Sequence, residues 1–132
     1  MVRVRTPLLV ITLAALALQT PALAAGKPAD RQDIKAYALQ RCLDNNYTHS
    51  GKYAPDQLRD RSYLLTTYAM DNAKAGATDR LHRFVDANTA GFDKREVPMK
   101  DEARRGPFNR IFAQCMAFYH SLALHQFIAR EF

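Results

Sequence analysis

The chain has 132 residues, a formal net charge of +6 and two cysteines, and 48% of its residues are hydrophobic. This length fits one domain with a modest core. Lysine and arginine are scattered among aspartate and glutamate instead of forming one block, which argues against a nucleic-acid partner.

The first 24 residues predict a cleaved signal peptide. Arg3 and Arg5 precede the apolar run LLVITLAALAL, and Ala22-Leu23-Ala24 has the form of a cleavage sequence. The alternative is a transmembrane anchor, but the run is too short to cross a hydrocarbon core of about 30 Å. We therefore expect export to the periplasm, no membrane anchor after cleavage, and one helical domain over residues 25–132. Loss of Arg3 and Arg5 would lower the net charge from +6 to +4.

Both cysteines, Cys42 and Cys115, belong to the predicted mature chain. In an oxidising compartment an intramolecular disulfide is the default expectation. Closing a loop of about 74 residues would stabilise the fold by about 4 kcal/mol in the chain-entropy description. The alternatives are two free thiols or bridges between chains.

The spacing of apolar residues predicts helices throughout the mature chain, and no strand pattern is present. Asp30 and Ser121 are candidate N-caps, and Thr78 or Asp79 is a third. Gly76 is expected to end the second helix. We predict an all-α fold, a small compact bundle of four to five helices cross-linked by one disulfide. The predicted helices cover residues 28–44, 55–73 and 78–90, then a segment opened by Gly106-Pro107 and a last helix that starts at Ser121.

Each predicted helix has residues that are expected to face the core, because they recur at three- and four-residue spacing. They are Ile34, Tyr37, Ala38, Arg41 and Cys42 in the first helix; Leu58, Ser62, Leu65, Tyr68 and Ala69 in the second; Leu81, Phe84, Val85 and Asn88 in the third; and Ile111, Phe112, Cys115, Phe118, Leu122, Leu124, Phe127 and Ile128 in the last two.

Two segments are predicted to be loops. Residues 47–55, YTHSGKYAP, are polar, and their tyrosines and His49 either contact a partner or cover the end of the bundle. Residues 92–106, FDKREVPMKDEARRG, are rich in charge and lack periodicity. Long loops in small domains are usually functional or disordered.

Known catalytic and metal-binding patterns are missing from the sequence. His120 and His125 are five residues apart, which is not the spacing of a helical metal pair, and there is no C-x-x-C. No cluster of carboxylates on an apolar face suggests an acid and base pair. We therefore expect no catalytic residue, no metal and no cofactor, and a binding or inhibitory protein instead of an enzyme.

Two motifs resemble a known family. The run Cys115-Met116-Ala117-Phe118-Tyr119-His120-Ser121, followed by Leu124, is similar to the C-terminal signature of the type VI secretion amidase immunity proteins, in particular the fourth amidase immunity family. The opening Tyr37-Ala38-Leu39 with Arg41-Cys42 resembles the first helix of that family. Ala117 stands where an acidic residue is common in the family, and Leu122-Ala123 stands where charged residues are usual.

The resemblance implies an all-helical, periplasmic homodimer that binds a secreted peptidoglycan amidase, a cysteine peptidase-like enzyme, and blocks its cleft. In the family a helix of one subunit and a loop of the other make contact, which here would be the third helix and residues 92–106. The alternative for the loop is an ordinary solvated segment. Competing functions are a periplasmic acid-stress chaperone and a module that binds the cell wall or a membrane surface. The expected partner-binding residues are Asp93, Lys94, Arg95, Glu96, Met99 and Lys100.

Overall fold

The structure is a computed structural model that describes residues 28–52, 60–94, 96–97 and 108–132. Within this part of the chain five α-helices form a bundle, which confirms the predicted all-α fold. A 3₁₀ turn at Phe92–Lys94 and two short strands, β1 (Glu96–Val97) and β2 (Phe108–Asn109), complete the described elements. The predicted signal peptide lies outside the described residues. The helices are α1 (Arg31–His49), α2 (Leu64–Ala73), α3 (Ala77–Thr89), α4 (Ile111–Tyr119) and α5 (Leu122–Glu131).

α1 is the central helix, and α3, α4 and α5 all pack against it. Its predicted cap is confirmed, because Asp30 Oδ1 accepts from the Gln32 N–H at 2.7 Å. The helix continues to His49, so the prediction that it ends near Asp44 is wrong. The reason is Asn46, which is 2% exposed and occupies an inward position one turn after Cys42. Tyr47 and His49, predicted to lie in a loop, therefore belong to the last turn of α1.

The predicted disulfide joins α1 to α4 within one chain. Cys42 and Cys115 have Cα atoms 5.8 Å apart, are 73 positions apart in sequence, and are both fully buried. The cross-link therefore lies inside the core, between two helices that come from opposite ends of the described chain.

α2 is shorter than predicted and presents a different face. The predicted start at Pro55 lies outside the described residues, and so does Leu58; the helix itself begins at Leu64. Leu65 and Tyr68, expected to face inward, are 80% and 60% exposed. Thr66 and Met70 face the core instead. Both stripes of α2 carry apolar residues, so periodicity alone could not decide between them. Ser62, also expected to face inward, is exposed and lies before the helix.

The turn between α2 and α3 is held by a side chain from α2. Gly76 adopts φ +70°, in the left-handed region that favours glycine, just after α2 has ended as predicted. Asp71 Oδ1 accepts from the Thr78 N–H at 2.9 Å. This N–H lies in the first turn of α3, where it has no partner within the helix. The predicted cap by Thr78 or Asp79 is wrong, because the Thr78 hydroxyl donates back to the Thr67 carbonyl at 3.2 Å.

β1 and β2 form an antiparallel pair, in which Glu96 lies opposite Asn109 and Val97 opposite Phe108. The prediction of no strand is therefore wrong. Strands of two residues are too short to display a period of two in the sequence. Because β2 occupies Phe108–Asn109, α4 begins at Ile111 and not directly after Gly106-Pro107.

The last two helices supply much of the core. The cap at Ser121 is confirmed, since its hydroxyl accepts from the Leu124 N–H at 3.2 Å. Phe84 of α3 stacks on Phe127 of α5 with ring centroids 4.1 Å apart. Phe112 and Leu122, expected to face inward, are 59% and 67% exposed. The core residues of these two helices are Ile111, Cys115, Phe118, Leu124, Phe127 and Ile128.

Replacing the Ser121 cap tests this description of α5. Ser121→Ala removes the acceptor for the Leu124 N–H and should lower the free energy of unfolding by about 1 kcal/mol. Ser121→Asp keeps an acceptor at the same place and should stay near wild type. Urea denaturation followed by circular dichroism measures both. Equal stability of the alanine variant and wild type would contradict the capping role.

Candidate functional site

A polar groove lies where α1, α3 and the Phe92–Lys94 turn meet, and we call it the α1–α3 groove. Its volume is about 650 Å³. Most of the residues that line it have polar or charged side chains. The lining residues are Arg41, Asn45, Asn46, His49, Asp86, Thr89, Ala90, Gly91, Asp93 and Lys94.

A bidentate ion pair forms one wall of the groove. Arg41 Nε and Nη2 donate to the two carboxylate oxygens of Asp86 at 2.9 and 2.6 Å. Asn45 Nδ2 donates to Asp86 Oδ1 at 2.6 Å. The Asp86 carboxylate is thus held by two α1 side chains, and such paired geometry is more specific than a single contact. Because the Asp86 side chain is 44% exposed, its main effect is to fix positions and its contribution to stability is small.

One turn away, Tyr37 and His82 make a second polar contact between α1 and α3. The Tyr37 hydroxyl and His82 Nε2 are 2.6 Å apart. Burial lowers the pKa of His82, and the nearby Arg41 cation lowers it further. Burial also raises the pKa of Tyr37. Both groups are therefore neutral at pH 7, and they share one hydrogen bond whose donor depends on the imidazole tautomer.

The Phe92–Lys94 turn is fixed to two helices at once. The Asp93 N–H donates to Asn46 Oδ1 of α1 at 3.2 Å. Gln114 Nε2 of α4 donates to the Phe92 carbonyl at 3.3 Å. The turn itself is closed by the Lys94 N–H, which donates to the Gly91 carbonyl at 3.1 Å. The start of the predicted loop is therefore attached to both helices that carry the disulfide.

The structure places the predicted partner-binding residues as follows. Asp93 and Lys94 line the α1–α3 groove, with Asp93 half-buried and Lys94 exposed. Glu96 lies in β1. Arg95, Met99 and Lys100 lie outside the described residues. The structure thus brings two of the six beside the end of α3.

Arg41, Asn45 and Asp86 are not predicted from the sequence as members of a site. The sequence predicts that Arg41 belongs to the core-facing stripe and that Asp86 lies on the solvated side of the third helix. A signal was present: Tyr37, Arg41 and Asn45 recur every four residues on α1. His82 and Asp86 have the same spacing on α3. Matching polar stripes of this kind are typical of two helices that meet along a hydrogen-bonded seam.

The chemistry of the groove is that of recognition by hydrogen bonds and charge. Its walls offer the Lys94 ammonium, the His49 ring, carboxylates and amides. Among residues 28–52, 60–94 and 108–132, no three histidine, cysteine or acidic side chains are grouped so that they could hold a metal ion. In the same part of the chain, no helix has the length and apolar character that would let it cross a membrane.

Comparison with known proteins gives no relative: no protein-family model, no curated protein and no solved structure matches this chain. The family resemblance of the two cysteine-containing motifs therefore stays an expectation.

The Tyr37–His82 contact predicts how stability changes with pH. Because the folded-state pKa of His82 is lowered, the unfolded chain binds its proton more readily than the folded chain. The contribution of His82 is therefore fully present above the unfolded pKa of about 6.5 and is lost as pH falls through the folded value. Urea unfolding of wild type and His82→Gln at pH 7.5, 6.5 and 5.5 should show a shallower pH dependence in the variant. Identical pH dependence would contradict the assignment.

Proposed function

We propose that this protein is an exported immunity protein that binds a secreted peptidoglycan amidase and blocks its active-site cleft. The observation that supports this proposal best is the double attachment of the Phe92–Lys94 turn. The family resemblance assigns the inhibitory contact to the segment that begins with this turn. A charged turn held against two cross-linked helices is the geometry that such an inhibitor needs.

The physical reason is the cost of ordering a loop when it binds. An inhibitor that works by obstruction has no chemistry of its own, so its affinity depends on how little freedom it loses on association. The contacts from Asn46 and Gln114 restrict the turn before any partner arrives. The disulfide holds the two helices that carry these contacts.

The charges around the turn supply the selectivity in this proposal. Lys94 is exposed, Asp93 and Asp86 are partly exposed, and Arg41 is held on Asp86. An amidase with opposite charges in matching positions would associate faster, and one with like charges would be rejected. The groove beside the turn would receive side chains from the rim of the cleft.

Export to the periplasm is part of the same proposal, since peptidoglycan lies there. The support is the signal-like sequence of the first 24 residues. The buried Cys42–Cys115 bond agrees with an oxidising compartment.

A homodimer also belongs to the proposal, and α2 offers a surface for it. Leu65 and Tyr68 are exposed and lie one turn apart on α2, beside Leu64, which is 41% exposed. Adjacent exposed apolar side chains mark association surfaces.

We expect sedimentation to give a dimer for wild type and a monomer for Leu65→Glu. The added charge would have to be desolvated at the contact between subunits. Gln126→Glu, at an exposed position of α5, adds the same charge on another helix and is the matched control, which should stay dimeric. If all three proteins are dimers, the interface does not include Leu65. If the wild type is a monomer, the proposed homodimer is wrong.

Inhibition of the amidase encoded beside this gene tests the proposal directly. Protein recovered from the periplasm should co-purify with that enzyme and stop its release of peptides from isolated cell walls. Lys94→Glu should weaken inhibition at least about tenfold, because a reversed charge at an interface costs several kcal/mol. Arg31→Glu makes the same change of charge at the start of α1, 15 positions and about 22 Å along the helix axis from Asn46, and should inhibit as wild type does.

Two results would count against the proposal. In the first, no cell-wall hydrolase is encoded nearby, or the one that is encoded is neither bound nor inhibited. In the second, inhibition occurs but Lys94→Glu and Arg31→Glu weaken it equally, which would move the contact away from the turn.

A further inference from the structure

The disulfide and the Phe92–Lys94 turn are linked through one buried amide. Asn46 Nδ2 donates to the Cys42 carbonyl at 2.9 Å and lies 3.9 Å from Cys42 Sγ. The oxygen of the same amide accepts from the Asp93 N–H at 3.2 Å. Because its nitrogen is fixed on Cys42, the amide points its oxygen at the turn.

The other attachment of the turn comes from α4, the second of the two helices that the disulfide joins. Gln114 directly precedes Cys115 on α4, and its Nε2 donates to the Phe92 carbonyl at 3.3 Å. The turn packs against α1 and α4. It therefore bridges the same two helices that the sulfur–sulfur bond joins, and both of its contacts lie within one helical turn of a bonded cysteine.

From this arrangement we propose that formation of the Cys42–Cys115 bond orders the Phe92–Lys94 turn and thereby makes the binding surface competent. When the bond is absent, α1 and α4 are held by apolar packing and by the contacts of Gln32 and Lys35 with Tyr119 near the start of α1. Their separation near Asn46 can then vary. Asn46 and Gln114 then cannot both reach the turn at hydrogen-bonding distance for most of the time. The binding role of the turn rests on the proposed function, whereas its dependence on the bond does not.

The chemistry of this step is thiol–disulfide exchange with a disulfide-bearing oxidant. The two thiols give up two protons and two electrons as the Sγ–Sγ bond forms, and the oxidant leaves as a dithiol. Both sulfur-bearing residues are 0% exposed in the folded protein. Reversal requires a thiolate to reach one of these sulfurs, so the folded state protects the bond from a reductant in solution. The ordered turn is thus acquired once and then kept.

Amide hydrogen exchange tests the dependence of the turn on the bond. In Cys42→Ser/Cys115→Ser the Asp93 N–H should exchange about tenfold faster than in wild type, measured by NMR under native conditions, because its hydrogen bond is broken more often. Ile128→Ala is the matched control, because it removes a core side chain of α5 and leaves the turn unchanged. Its expected loss of global stability, about 2–5 kcal/mol, is similar to that expected for loss of the disulfide. It should leave local exchange of Asp93 near wild type. The proposal is overturned if the two variants accelerate Asp93 equally.

A second set of measurements covers the case in which the double serine variant does not fold. Gln114→Ala and Asn46→Ala each keep the disulfide and remove one attachment, so each should accelerate exchange at Asp93 or Lys94. Wild type incubated with dithiothreitol without denaturant should keep both its bond and its slow exchange. Slow exchange in both alanine variants, or loss of the bond in folded wild type, would overturn the proposal.

Inhibition measured on the same variants separates this inference from the proposed function. If the oxidised protein inhibits the neighbouring amidase, the double serine variant should inhibit at least about tenfold less, while Ile128→Ala inhibits as wild type does at a temperature where both are folded. If no amidase is inhibited by any form, the proposed function fails. The exchange experiment then still decides whether the bond orders the turn.

Discussion

The covalent bond between Cys42 and Cys115 is the constraint on which the rest of the arrangement depends. It joins α1, against which three other helices pack, to α4, whose inward residues flank the same core. A domain of this size buries a limited core, so one internal cross-link is comparable to its whole net stability. The bond also sets the spacing of two helices at the place where the charged turn rests on them.

A second constraint is the polar seam between α1 and α3. Tyr37 meets His82, and Arg41 meets Asp86 one turn further along. On the adjacent stripe of α1, Ile34, Ala38 and Cys42 belong to the apolar core. α1 is therefore positioned by apolar packing and a disulfide along one stripe and by directional polar contacts along the next. Directional contacts fix rotation and register better than apolar packing does.

The sequence was sufficient to predict elements whose signals are local. Asp30 and Ser121 cap their helices as expected, because an N-cap depends only on the next three residues. The face of α2 was not predictable, since Leu65 and Tyr68 form as good a stripe as Thr66 and Met70. The end of α1 was missed because Asn46, normally a residue that ends helices, is buried and hydrogen-bonded to the turn. The groove escaped prediction for a related reason: its Arg41 and Asp86 are 45 positions apart and meet only through tertiary packing.

The separation of 73 residues between the two cysteines has a consequence for biogenesis. α1 is synthesised well before the residues of α4 and α5 that complete its apolar surroundings. The nascent polypeptide cannot complete the core around α1 until α4 and α5 have been synthesised, and contacts between distant segments form slowly. If the protein is exported as proposed, a translocation channel that threads extended polypeptides would receive it before it has closed into its native topology.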